Sequence, residues 1–218
     1  MPHAPDTAAP GPTGTPRERA KARRRAELLA AAARLFAAHG YEATRLEDIG
    51  AAAGISGPGI YRHFAGKAAV LVEILSSASL FLLDGAEAVA ARGLSGAEAV
   101  HDLIAFHTDF ALANRDVIRV QGRDMSSLPP ADGAEITRVQ RRYIDLWGAQ
   151  LRRLHPGEDH ATARFRTQAL LGLINSTPFS VRRSRADRGA RRDALIGMAW
   201  AAARTPGGTA RPEPPVVP

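Results

Sequence analysis

The side chains able to do covalent chemistry are few in this chain and badly spaced for it. The 218 residues hold seven histidines and no cysteine, which removes thiolate nucleophiles, disulfide frameworks and thiolate metal sites. His101 and His107 are six apart on an expected helix and so do not share a face. His155 and His160 flank Pro156-Gly157 in an expected loop, where solvated histidines are ordinary. No zinc spacing, nucleophile elbow or Gly-rich phosphate loop occurs. This pattern predicts no enzyme: no catalytic residue, no metal and no cofactor. The chemistry that remains is non-covalent, and its candidates are Thr44, Arg45, Ser56, Tyr61, Arg62, His63 and Lys67, with Gly57, Pro58 and Gly59 set among them. On a duplex, phosphate contacts set position and base-edge contacts set sequence.

Such groups need two short helices held at a fixed angle by a tight turn. Thr44 with Glu47 forms a capping box, predicting a helix from about Arg45. Leu46, Ile49, Ala52 and Ala53 then make one apolar stripe, and Gly54 stands where a left-handed residue closes a helix. Ser56 is placed to cap the next helix, and Pro58 falls in its first turn, where no intrahelical donor is lost. That helix is expected to run to about Phe64, with Ile60 and Phe64 in the core. Its first residues lack polar side chains, leaving Arg62 and His63, with Arg45, as base readers; the glycines would let the backbone approach thymine methyl groups.

Upstream, Leu28, Leu29, Ala32, Leu35 and Phe36 mark an amphipathic helix that Gly40 ends. Ahead of it stand Arg17, Arg19, Lys21, Arg23, Arg24 and Arg25 against the single acid Glu18. Residues 17 to 67 contain ten Lys or Arg and five Asp or Glu, and so carry five of the chain's seven net positive charges. A cationic run at the edge of a helix-turn-helix unit is an electrostatic footprint for a phosphate backbone.

The remainder, with 45% hydrophobic residues over the whole chain, can bury a core. Residues 1–16 and 205–218 are rich in Pro, Gly, Thr and Ala and are expected to be disordered tails. No signal-peptide core and no apolar run approaching 18 residues occurs, so a cytoplasmic protein without a membrane partner is expected. A long helix is expected from Lys67 to about Arg92. Ser95 with Glu98 makes a second capping box, opening a helix that presents Val100, Leu103, Ile104, His107 and Phe110. A short helix at 116–123 is stopped by Pro129-Pro130. An amphipathic helix follows at about 132–154, with Ile136, Val139, Tyr143, Leu146, Trp147 and Leu151. Two Ala- and Leu-rich helices, about 159–180 and 187–204, suit a four-helix seam with a symmetry mate. Ligand-pocket candidates are Phe106, His107, Phe110, Met125, Trp147 and Asn175, each with plain core packing as the alternative.

The run Leu28 to Leu71 resembles the N-terminal domain of the tetracycline-repressor (TetR) family. The resemblance rests on Ala31-Ala32, Leu35-Phe36, Gly40-Tyr41, Ala43-Thr44, Asp48-Ile49, Ala52-Ala53-Gly54 and Tyr61-Arg62-His63-Phe64 before Lys67. It implies an all-α fold: a three-helix helix-turn-helix domain at 17–66, then a helical ligand-binding and dimerisation domain at 67–204 that includes the connecting helix. It further implies that Thr44, Tyr61 and Lys67 hold phosphates while Gly57 to His63 lies in the major groove of a double-stranded DNA operator. A homodimeric repressor released by a small-molecule effector is the implied activity. Two positions depart from the family pattern: Gly66 replaces a common Ser cap, and Ala68 replaces a common acid. Neither change removes a phosphate donor. Asn114-Arg115-Asp116 to Asp124 and Gly172 to Pro178 are similar to regulators of acyl-CoA and fatty-acid metabolism, implying a small hydrophobic or acyl-CoA-like effector. Charge alone leaves an alternative open, a non-specific or architectural DNA-binding protein without an effector.

Overall fold

Helix α1 (Pro16–His39) starts before its apolar stripe, because Thr15 and Glu18 cap it reciprocally. Thr15 N donates to Glu18 Oε2 at 2.7 Å, Glu18 N donates to Thr15 Oγ1 at 3.3 Å, and Pro16 opens the first turn. The basic run is therefore helical, and residues 16–24 lie exposed ahead of Leu28, the first buried side chain. The structure, a computed structural model, describes residues 15–176 and 188–206. Most of both expected tails, and the expected helical stretch from 177 to 180, lie outside the described residues.

The helix-turn-helix follows as α2 (Leu46–Ala52) and α3 (Gly57–Ile60), with Gly54 at φ 71° closing the turn between them. Three local expectations are corrected. The capping box is shifted by one residue: Arg45 is the cap residue and its N–H is held by Asp48 Oδ2 at 3.3 Å. Thr44 is buried instead, its hydroxyl donating to Gly40 O at 2.7 Å, so it serves the carbonyl end of α1 and not the amide end of α2. Ser56 occupies the cap position of α3 but makes no side-chain cap bond. Regular helix in α3 ends at Ile60 and not at Phe64; the chain continues through tighter turns, with His63 N donating to Ile60 O at 2.8 Å. A helix opened by Gly-Pro-Gly without a cap has little propensity to extend.

Six longer helices follow among the described residues: α4 (Lys67–Ala91), α5 (Gly96–Ala113), α6 (Arg115–Asp124), α7 (Pro130–Leu154), α8 (His160–Asn175) and α9 (Arg188–Arg204). The Ser95–Glu98 capping box forms as expected, with Glu98 N donating to Ser95 Oγ at 3.3 Å. Pro129-Pro130 does more than end α6, since Pro130 is the first residue of α7. A 3₁₀ turn, Met125–Ser127, links the two. Helices α4 and α5 meet at Gly85, where a β-carbon would lie 2.1 Å from Phe106 Cζ.

Two cores organise these helices. One lies within the α4–α9 bundle around Trp147, Leu103, Ile104, Leu151 and Ile174. The other joins Leu28, Phe36, Ile49, Ile60 and Phe64 of the head to Val70, Leu71 and Leu75 of α4, and also takes in Val120, Leu128 and Ile136 from beyond it. Helix α4 thus crosses both. By length and composition it is apolar enough to span a bilayer, yet nine of its residues are buried in these cores.

Candidate functional site

On the helix-turn-helix, Arg45, Ser56, Tyr61 and Arg62 are exposed and His63 is half-buried, beside the exposed acids Glu47 and Asp48. Tyr61 is 55% exposed, and its hydroxyl donates to Glu47 Oε1 at 2.6 Å. That bond raises the phenol pKa and holds the Glu47 carboxyl below its ordinary range. Gly57 and Pro58 open α3. At Gly59 a β-carbon would lie 2.7 Å from Ile55 Cγ2, so this glycine is required for packing inside the turn rather than for an approach to DNA.

Lys67 is occupied within the fold. Its ammonium donates to Tyr41 O at 2.7 Å and Glu42 O at 3.2 Å, and lies 4.2 Å from the Tyr41 ring centroid. With Thr44 only 3% exposed, two of the three residues implied as phosphate holders fasten the loop between α1 and α2 in this conformation. Tyr61 is the third and stays accessible.

Arg25, read in sequence as one of six footprint charges, is a structural bolt. Its Nε donates to Glu73 Oε1 at 2.6 Å, its Nη1 to His63 O at 2.8 Å, and its guanidinium lies 4.4 Å from the Phe64 ring centroid. One side chain of α1 therefore fixes both α4 and the turn that follows α3. Arg24 Nη1 likewise reaches Ala53 O, at 3.2 Å, as well as Glu27. The helical spacing of residues 25, 28, 32 and 36 was the available signal, because it puts Arg25 on the buried stripe. Arg17, Arg19, Lys21 and Arg23 remain exposed on the projecting end of α1.

In the bundle, His107, Tyr143 and Asn175 come together from α5, α7 and α8. His107 Nδ1 is 3.0 Å from Tyr143 Oη, and Nε2 is 3.0 Å from Asn175 Oδ1. Burial pushes the imidazole pKa down to about 4, partly opposed by the Asn175 bond, and burial also raises the Tyr143 phenol. These three residues border a cavity of about 90 Å³ with Ser79, Gln121, Gln140, Leu82, Ile118, Ile144 and Leu171. Gln140 Nε2 donates to Ser79 Oγ at 3.3 Å.

Of the six pocket candidates, only His107 and Asn175 border this cavity. Trp147 is fully buried behind it, its ring centroid 6.2 Å from that of His107. Phe106 fills the α4–α5 crossing and stacks on Phe81. Met125 packs against the head core. Phe110 borders a different hollow, an apolar cleft of about 330 Å³ where α1, α4, α5 and α6 meet, with Leu29, Ala33, Ile74, Phe81 and Val117. Aromatic residues were attractive candidates by size, and size is also what commits them to packing. Tyr143, Gln121, Gln140 and Ser79 were missed because each sits singly within an ordinary helical pattern.

Fold and site together define, over the described residues, an all-helical protein with a helix-turn-helix head set on a bundle that holds a cavity. Residues 28–74 match the family described as bacterial regulatory proteins, tetR family. The match covers the helix-turn-helix head and the first turns of α4. It is 28% identical over 128 residues to the HTH-type transcriptional repressor KstR2 of Rhodococcus jostii (strain RHA1), covering 58% of this chain and 63% of that protein. The chain thus spans less than two thirds of this relative's length. A TetR-family transcriptional regulator from Bordetella parapertussis 12822 shares the fold, with a TM-score of 0.75 and 24% identity across 83% of this chain and 94% of that one. So does AibR, solved with isovaleryl coenzyme A and operator DNA: TM-score 0.66 and 18% identity across 80% of this chain and 97% of AibR.

Proposed function

We propose that this chain is a cytoplasmic homodimeric transcriptional repressor that binds a near-palindromic operator through two helix-turn-helix heads and is released by a small-molecule effector held in the α4–α9 bundle. The observation that carries this reading is the exposed or half-buried set Arg45, Tyr61, Arg62 and His63 beside the basic end of α1. Arg62, His63 and Arg45 read base edges; Tyr61, with the α1 extension, holds phosphates. Thr44 and Lys67 support the loop that aims α2, and either reaches a phosphate only by giving up the bonds described above.

Dimerisation is supported by Phe165 on α8 and Met198 on α9, which are 70% and 51% exposed in the single chain. Two such helices from each copy form a four-helix seam. Effector control is supported by the cavity in the bundle and by AibR, which shares the fold and was solved with isovaleryl coenzyme A and operator DNA. Helix α4 runs about 37 Å from the head into the bundle. A ligand that binds the two dimer states differently shifts the spacing of the heads through it; equal affinity for both would shift nothing.

Fluorescence anisotropy tests this reading, using DNA upstream of the protein's own gene and of its neighbour, excess non-specific competitor and a salt series. Tight binding of one dimer per site that survives competitor is the expected result. Binding that competitor abolishes would favour the architectural alternative, since specific sites are typically bound ~10³-fold or more tighter.

A further inference from the structure

We propose that the cavity between α4, α5, α6, α7 and α8 receives the effector through an uncharged hydrogen-bonding group, a carbonyl oxygen accepting from the Asn175 amide. This rests on the reading of the bundle as the effector domain and names the chemistry of its ligand.

The direction of the hydrogen bonds fixes what is left to offer. Asn175 Oδ1 can only accept, so the His107 nitrogen 3.0 Å away, Nε2, carries the ring proton. Nδ1 then holds a lone pair and accepts from Tyr143 Oη at 3.0 Å. The relay runs from Tyr143 through His107 to Asn175 and ends there, with both N–H groups of the Asn175 amide unspent among the described residues. At the other end of the relay, the Tyr143 oxygen has given away its hydrogen. Across the cavity, Ser79 Oγ accepts from Gln140 Nε2 at 3.3 Å and retains its own hydrogen.

Among the described residues, no Lys, Arg, Asp or Glu borders the cavity. The one titratable base there is held neutral by burial. A carboxylate or ammonium entering this space would surrender its hydration for neutral dipoles, which costs far more than a carbonyl loses. A ketone, lactone, amide or thioester carbonyl pairs with the Asn175 donors, and its carbon body faces the aliphatic wall. At about 90 Å³ the cavity is smaller than the ~150 Å³ that holds a benzene ring, so it takes a group of a few heavy atoms.

The experiment compares three probes of equal size: 2-butanone, propionate and sec-butylammonium. Binding to the full chain is followed by saturation-transfer NMR, and operator affinity by anisotropy with each probe present. Butanone is expected to bind the wild type at least tenfold more tightly than either ion. In Asn175→Asp, whose folding is checked by its melting temperature, butanone binding falls and sec-butylammonium gains. Propionate binding as tightly as butanone, or no binding by any probe, would overturn the proposal, and neither result depends on a variant. Butanone binding that leaves operator affinity untouched would support the site chemistry while removing the cavity from the regulatory reading.

Discussion

Arg25 and Arg62 have the same side chain in the same head, yet one faces inward and one outward, and in the proposed function only the second reads DNA. Arg62→Ala is therefore expected to relax preference at one base position, costing about 1–3 kcal/mol on the preferred operator and little elsewhere, as a panel of operator variants would measure. Lys67→Ala should behave differently. Its ammonium holds Tyr41 and Glu42 carbonyls, so all sequences weaken alike, the melting temperature falls and the salt slope is retained. A slope lowered by about one unit would return Lys67 to the phosphate contacts. His107 carries a prediction in pH. Its pKa is lowered from an ordinary 6.5 to about 4 in the fold, so the imidazole is neutral in both folded and unfolded chains above pH 6.5. As pH drops below that value the unfolded chain takes up the proton first, and stability is lost down to about pH 4, by roughly 3 kcal/mol. Urea melts at pH 7 and pH 4.5 should show this loss in the wild type and a smaller one in His107→Gln. Equal losses would mean that His107 protonates freely in place. In the sequence Arg25 and His107 were both visible as residue types; the partners that decide their roles, 48 residues away at Glu73 and 68 away at Asn175, were not.

Helix α1 is the element whose reading changes most. The basic run looked like a footprint ahead of the helix, whereas Thr15 and Glu18 extend the helix beneath it. Arg17, Arg19, Lys21 and Arg23 then project as an ordered cationic rod, based beside Ala53 and His63 through Arg24 and Arg25. Replacing those four residues by Ala preserves helix propensity and removes only charge. The expected outcome is a salt slope reduced by about 0.9 for each phosphate no longer neutralised, with the ratio of specific to non-specific binding unchanged. A changed ratio would mean that the rod reads sequence. Elements with strong local signals were legible: the Ser95–Glu98 box, the Gly40 stop, the Gly54 turn and the apolar period of α7. The α2 cap was misplaced by one residue because two candidate boxes overlap, and Thr44 is drawn into the core by the end of α1. The end of α3 was overextended because apolar Ile60 and Phe64 continue the stripe while the backbone between them tightens.

On the scale of the whole molecule, dimerisation and the union of head and bundle are separate questions. Phe165→Arg should leave the fold of one chain intact, since that side chain is 70% exposed, while sedimentation shows a monomer that binds operator weakly. A dimer that persisted would move the seam elsewhere. Head and bundle, in contrast, are not independent bodies. Arg123 of α6 is paired with Asp124 at 2.9 Å and donates to Phe36 O at the end of α1. Val120, Leu128 and Ile136 complete the core around Leu28 and Phe36. The sequence suggested a boundary between residues 66 and 67, because periodicity reports which face of a helix is buried and not against which partner. A shared core has a practical meaning for synthetic regulators assembled by exchanging reading heads between scaffolds. A graft cut after residue 66 would leave the transplanted head resting on foreign residues at positions 120, 128 and 136, so those three positions must travel with the head as if they were part of its sequence.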